Sequence, residues 1–267
     1  MPWSFEQDVE RYAALGAGAI EIWEKKLSHE PLRRRQQLRL PRNHGLIVSS
    51  FQANVHSLFP THLQREPAEF SRRLETFTEV LDACAPELPE AAFVLNTGVA
   101  ADGDVERAFE KTVEGYKVLA AHARELGVRL ALEPLHPIAM NEDSFIWNLE
   151  DALELVETVG ESALGICADI WNLAGQANLR PRLARCGRRV FLAQVSDYRR
   201  PRSFLDRLTI GKGSLDFAPF ISGVRDAGYD GPWVLEIFSE NVPDSLYDSD
   251  LGAVVTESRE ALDHLLA

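Results

Sequence analysis

The 267 residues predict an α/β chain folded as a (β/α)8 TIM barrel, and three observations carry that expectation. Short apolar runs of strand type alternate with helical periodicity from one end to the other, with no hairpin signal. Four of the later runs end in an oxygen-bearing side chain: Glu133, Asp169, Gln194 and Glu236. These positions recur at intervals of about one βα unit, and only a closed barrel of roughly 250 residues gathers such strand ends around one mouth. An open doubly wound sheet would need a glycine-rich turn after an early strand, whereas G-A-G-A-I at 16–20 follows a helix and precedes a strand. One domain over 1–267 is expected.

Taken in order, Ser4 caps a first helix with Gln7 three residues on, the spacing of a capping box. Residues 19–23 form a short strand. Residues 30–42 form a basic helix expected to stop at Pro41. A strand at 46–51 leads into a polar, aromatic stretch at 52–67, expected to be a long binding connection. Helix 68–83, strand 91–95 and helix 104–126 follow, the last closed by Gly127. Strand 129–133 ends before Pro134, which cannot donate to a ladder. Loop 134–145 leads to helix 146–159, closed by Gly160. Strand 164–169, helix 180–187, strand 190–196, a basic loop at 198–214 ending in G-K-G, helix 217–227, strand 232–237 and helix 247–266 complete the chain. That makes seven strands, and the chain opens almost directly in a helix. The first barrel strand is therefore expected to be lacking or truncated: through a late start, through a barrel genuinely short of a strand, or because another chain supplies it, as homo-oligomer or partner subunit.

The formal net charge of −13 opposes nucleic acid and anionic membranes as partners. The basic cluster Arg33-Arg34-Arg35 through Arg39 fits a solvated helix face. No apolar run approaches the ~20 residues needed to span a bilayer. Cys84, Cys167 and Cys186 show no CxxC pairing, and no secretory signal opens the chain, so a cytoplasmic location is expected.

Carboxylates at the ends of buried strands pack badly but can hold a cation or move a proton. Glu133, Asp169, Gln194 and Glu236 together make an oxygen-rich set that suits Mn²⁺, Mg²⁺ or Co²⁺ ahead of Zn²⁺. Such a cation would chelate a carbonyl and adjacent hydroxyl and stabilise the charge left when a carbon-bound proton departs. A glutamate at the rim can act as the base.

A-L-E-P-L-H-P, C-A-D-I-W, A-Q-V-S-D and G-K-G-S-L-D-F with A-G-Y-D-G-P-W-V-L-E-I-F-S, in that order, resemble the sugar phosphate isomerase/epimerase family, the xylose isomerase-like TIM barrels of the AP endonuclease 2-type superfamily. The resemblance covers nearly the whole chain after Ser4. It implies one divalent cation on Glu133, Asp169, Gln194 and Glu236, and an acid/base pair in Glu133 and Glu236 working on opposite faces of an enediolate. Two departures stand out. Gln194 replaces the usual histidine, as in relatives similar to 3-dehydroshikimate dehydratase. Asn172 replaces the histidine of a D-x-x-H motif, and an amide cannot shuttle a proton.

The expected activity is metal-dependent isomerisation or epimerisation of a sugar, keto-sugar or cyclitol. A lyase or dehydratase on the same site and a non-catalytic accessory subunit are the alternatives. Abasic-DNA endonuclease action is rejected on charge and on the scarcity of histidines. Each site residue also has a plainer reading: Glu133 and Glu236 as partners of an arginine, Asp169 as a helix cap, Gln194 as a core amide. His136 is a candidate catalytic or substrate-contacting group. His56, with His62, Trp171, with Trp23, and Asn172 are candidate substrate contacts. Arg200 is the expected anion- or hydroxyl-binding arginine, with Arg199 and Arg202 as competitors. Lys212 reads as turn chemistry.

Overall fold

The computed structural model describes residues 2–140, 142–199 and 205–267. Seven parallel strands form a nearly closed barrel: β1 (Ala19–Trp23), β2 (Ile47–Ser57), β3 (Ala92–Asn96), β4 (Arg129–Leu132), β5 (Leu164–Asp169), β6 (Val190–Val195) and β9 (Trp233–Leu235). Each is hydrogen-bonded to the next in that order. β7 (Asp197–Tyr198) and β8 (Arg207–Leu208) form a separate antiparallel pair within the basic loop. The outer helices are α1 (Phe5–Ala14), α2 (Pro31–Asn43), α3 (Phe70–Cys84), α4 (Val105–Leu126), α5 (Leu149–Val159), α6 (Ile170–Leu173), α7 (Leu179–Cys186), α8 (Phe217–Asp226) and α9 (Leu251–Leu266). None is long and apolar enough to cross a membrane.

Period-two alternation divides each strand between two cores. Phe93, Leu95, Leu130 and Leu132 face the helices and join the large outer core. Ala92, Val94, Ala131, Cys167, Leu192 and Val234 face inward as a small dry plug. The plug closes the barrel below, so polar side chains at the C-terminal strand ends converge above an apolar floor.

The expected seven strands are all present, and among the described residues β1 and β9 share no hydrogen-bonded ladder. The barrel is therefore open along one seam, flanked by α1 and α9. At the start of α1, Ser4 Oγ accepts from the Gln7 amide and Gln7 Oε1 from the Ser4 amide, the expected capping box. Gly127 and Gly160 close α4 and α5 in the left-handed conformation.

Three expectations are corrected. Pro41 does not stop α2, because it lies in the last turn and its missing N–H removes only one bond. The chain continues to Asn43, and the His44 and Leu46 amides return to the Pro41 carbonyl. The stretch read as connection from residue 52 is strand as far as Ser57. Burial alternates: Phe51, Ala53, Val55 and Ser57 are buried, Gln52, Asn54 and His56 are half-buried, and Gln52 and His56 line the cavity at the barrel mouth. Lastly, the basic loop does contain a hairpin-like pair.

The rim after β2 is built on Arg73, whose side chain is fully buried. Its guanidinium donates to Ser57 O at 2.7 Å, Ser57 Oγ at 2.8 Å, Gln64 Oε1 at 2.8 Å and Pro67 O at 2.9 Å. Burial pushes its pKa down to about 10. Replacing it by leucine would leave several buried acceptors unpaired, at 1–3 kcal/mol each. Arg73→Leu is expected to destabilise the protein by about 3 kcal/mol, read as a lower urea midpoint.

Candidate active site

β4 ends at Leu132, just ahead of Pro134, and the residue between them, Glu133, stands above the apolar plug. Glu133 is 7% exposed, and its Oε1 accepts from Asn172 Nδ2 at 2.7 Å. Asp169, the last residue of β5, is fully buried. Its Oδ1 caps α6 by accepting from the Trp171 amide at 3.0 Å, and its Oδ2 accepts from Asn172 Nδ2 at 3.0 Å. Asp169 is thus both a helix cap and a site carboxylate. Glu236 follows β9, and its Oε1 accepts from Gln52 Nε2 at 3.1 Å and Gln194 Nε2 at 3.2 Å. One oxygen each from Glu133, Asp169 and Glu236 lie within 4.8 Å of one another.

The positive charge in this group is Arg207, on β8 and 4% exposed. Nη2 lies 2.9 Å from Asp169 Oδ2, and Nη1 lies 2.6 Å from Glu236 Oε2. The guanidinium sits between the rings of Trp171 and Phe238, at 5.1 and 5.2 Å from their centroids. The loop that delivers it is pinned by Asp197, whose carboxylate accepts from the amides of Tyr198, Gly211, Gly213 and Leu215. A Cβ on Gly213 would meet Tyr198 O at 2.2 Å, so G-K-G is indeed turn chemistry. Lys212 points away to Glu257.

A cavity of about 780 Å³ opens over the acids and continues to the open seam, where Ala19, Leu235 and Val255 line it. His56 also lines it, with its Nδ1 3.2 Å from Ala53 O and its pKa lowered by burial. His136 sits at the rim. Its amide donates to Asn172 Oδ1 at 2.8 Å, and its Nδ1 accepts from the Ile138 amide at 3.0 Å, so the neutral ring carries its proton on Nε2. Trp171 is fully buried, with the Arg207 guanidinium over its ring and the His136 ring packed edge-on against it. Trp23 is part-exposed beside Lys25. His62 lies 3.4 Å from Asp143 Oδ1, outside the acid group. Arg200 and Arg202 lie outside the described residues. Arg199 turns outward to Asp206 and Asp244.

Two residues at the site were not among those anticipated. Arg207 carries no signal separating it from its neighbouring arginines, because its place depends on the β7–β8 pairing. Glu21, on β1, did leave a signal: a carboxylate between two isoleucines in an otherwise apolar strand. Both of its oxygens accept from Gln194 Nε2, at 3.2 and 3.1 Å, and Oε2 accepts from Ser50 Oγ at 2.6 Å. Among the described residues, Gln194 Oε1 accepts from the thiol of Cys167 alone, at 3.0 Å.

Two like charges about 4 Å apart repel by roughly 4 kcal/mol at an effective dielectric near 20. One arginine cannot compensate three ionised carboxylates, so protons are retained. Burial, then Glu236 and Asp169, push Glu133 well above the usual carboxylate range. Burial, opposed by Arg207 and aided by Asp169, lifts Glu236 to about 8. Burial raises Asp169, with Arg207 opposing. The oxygen set fits a divalent cation: three converging carboxylates, a neighbouring amide oxygen held by a weak thiol donor, and more negative charge than Arg207 can balance. The folded metal-free protein therefore binds protons that the unfolded chain has released above about pH 4.5. Its stability is expected to fall as pH rises through about 8, in a series of urea midpoints. Glu236→Gln should flatten that fall, and Arg207→Met should steepen it.

Comparison with known proteins agrees with this architecture. Over 249 residues the chain is 26% identical to 3-dehydroshikimate dehydratase of Pseudomonas aeruginosa, covering 88% of this chain and 36% of that protein. It thus spans about a third of the length of the curated relatives it matches. A crystal structure of D-psicose 3-epimerase with D-fructose superposes with a TM-score of 0.78 at 17% identity, covering 99% of this chain and 94% of the other. The IOLI protein with a bound zinc atom superposes with a TM-score of 0.77 at 18% identity, covering 99% and 93%. At those identities the likeness is one of fold. Residues 9–265 match the model of the xylose isomerase-like TIM barrel family, and the chain belongs to that family.

Proposed function

We propose that this protein is a divalent-cation-dependent isomerase or epimerase that moves a proton on the carbon next to a carbonyl of a sugar, keto-sugar or cyclitol. The observation that supports it best is the convergence of Glu133, Asp169 and Glu236 within 4.8 Å in a buried cavity. These three would hold the cation, with Gln194 Oε1 as the fourth donor, and oxygen donors favour Mn²⁺, Mg²⁺ or Co²⁺ over Zn²⁺. When bound, the cation polarises the substrate carbonyl and so acidifies the neighbouring C–H.

The rest is the work of the chain. Glu133 and Glu236 enter from β4 and β9, with β5 and β6 between them in the sheet order. One carboxylate can take the proton from one face of the substrate while the other returns it to the opposite face. Without the cation, burial and the neighbouring acids raise both, Glu236 to about 8, and a cation on their oxygens would lower them again. Asn172 and Arg207 are placed to hydrogen-bond hydroxyl groups, His56 lines the cavity, and His136 is joined to Asn172 through its amide. Where the acids open into the cavity, Glu21, Gln52, Glu133, Asn172, Arg207 and Glu236 make a polar wall suited to a hydroxyl-bearing molecule.

A second reading is favoured by Gln194, Asn172 and the curated dehydratase relatives. In it, the same proton abstraction expels a β-substituent from an oxo-sugar or dehydroshikimate-like substrate, a lyase outcome. It needs one base and one acid rather than a symmetrical pair.

Elemental analysis and Mn²⁺ titration are expected to give about one equivalent per chain, with Glu133→Gln abolishing binding. Protons should be released on binding, and affinity should rise with pH toward about 8, because the ligands must ionise. Keto-sugars and keto-cyclitols incubated with Mn²⁺-loaded protein in D₂O should gain deuterium at the carbon beside the carbonyl. Recovery of an isomer supports the first reading, and loss of water the second. Absence of both metal binding and exchange would overturn both.

A further inference from the structure

The geometry points to Glu21 as a positioning residue of the metal centre: it claims the nitrogen of the Gln194 amide and so commits the oxygen to the cation. This inference rests on the metal-binding reading above. A glutamine is an ambiguous ligand, because its amide can turn either a donor or an acceptor toward the site. Here one end is fixed. Gln194 Nε2 lies 3.2 and 3.1 Å from the two Glu21 oxygens, and both accept from it. The other end is loosely held, since among the described residues Oε1 accepts from the Cys167 thiol alone, at 3.0 Å, and a thiol is a weak donor. Moving Oε1 onto a cation gives up little, whereas turning the nitrogen away from Glu21 gives up two contacts.

Glu21 is itself held by Ser50 Oγ at 2.6 Å and Gln52 Nε2 at 3.4 Å. Gln52 and Gln194 also donate to Glu236 Oε1, at 3.1 and 3.2 Å. The four side chains form a closed ring in which two carboxylates share two amide donors. The ring spans the mouth of the seam, where β1 and β9 have no backbone ladder to fix their separation. Glu21 therefore orients two groups at once, Gln194 directly and Glu236 through the shared amides. Outer-shell partners of this kind typically change metal affinity by about 10- to 100-fold when removed.

The test is Mn²⁺ titration calorimetry on wild type, Glu21→Gln, Glu21→Asp, Gln52→Leu and Cys167→Ala, with melting temperatures of the metal-free proteins alongside. Glu21→Gln should weaken Mn²⁺ binding about 10- to 100-fold, while its metal-free melting temperature stays level or rises. A purely structural glutamate would instead lower that temperature and leave affinity alone. Glu21→Asp should recover part of the lost affinity, Gln52→Leu should lose less than Glu21→Gln, and Cys167→Ala should bind at least as tightly as wild type. If wild type binds Mn²⁺ and Glu21→Gln binds it within twofold, the role of Glu21 is overturned and the metal site stands. If wild type binds none, the metal-binding reading fails and takes this inference with it.

Discussion

Among the described residues, Arg207 is the cation set among the carboxylates at the mouth, and the rest of the site depends on that placement. Asp169 and Glu236 flank its guanidinium, and Trp171 and Phe238 fix its plane. A buried ion pair of this kind is poor evidence for stability, because desolvation offsets most of the attraction. It does control charge. With Arg207 present, part of the negative charge can remain ionised, and the remainder is carried as protons near neutrality. A site balanced this way can gain or lose a proton at little electrostatic cost.

Much of this was legible in the sequence, for identifiable reasons. A carboxylate at the end of an apolar strand violates the pattern of that strand, so Glu133, Asp169 and Glu236 stood out, and their spacing implied a barrel. The seven-strand count survived because each strand is short, apolar and bounded by turn residues. Arg207 was not legible. Its neighbours are also arginines, and only long-range pairing with Asp197 and Tyr198 decides which one turns inward. The continuation of β2 was readable in principle: Q-A-N-V-H alternates with period two, but its polarity suggested a connection. In a barrel mouth the inward face of a strand is polar because it lines the site, so polarity there marks function rather than loop.

The seam between β1 and β9 shows how the barrel holds its shape at the level where ligands would bind. Among the described residues no backbone ladder joins the two strands there, and side-chain hydrogen bonds through Gln52 and Gln194 bridge them. A linkage of side chains responds to charge in a way that a backbone ladder does not. The width of the mouth and the electrostatics of the site are therefore coupled, and the same residues that organise the acids also join the two edges.

The delivery of Arg207 has a further consequence for how such a protein could diversify. Asp197 anchors one end of its loop, and the Arg207 amide bonds Phe238 O while the Glu240 amide bonds Leu205 O at the other. Arg207 is thus located through backbone atoms: the amides of Gly211 and Gly213 donate to Asp197, and its own amide donates to Phe238 O. Bonds of that kind do not depend on which side chains the neighbouring positions carry. Side chains around Arg207 can therefore change without displacing the guanidinium from between Asp169 and Glu236.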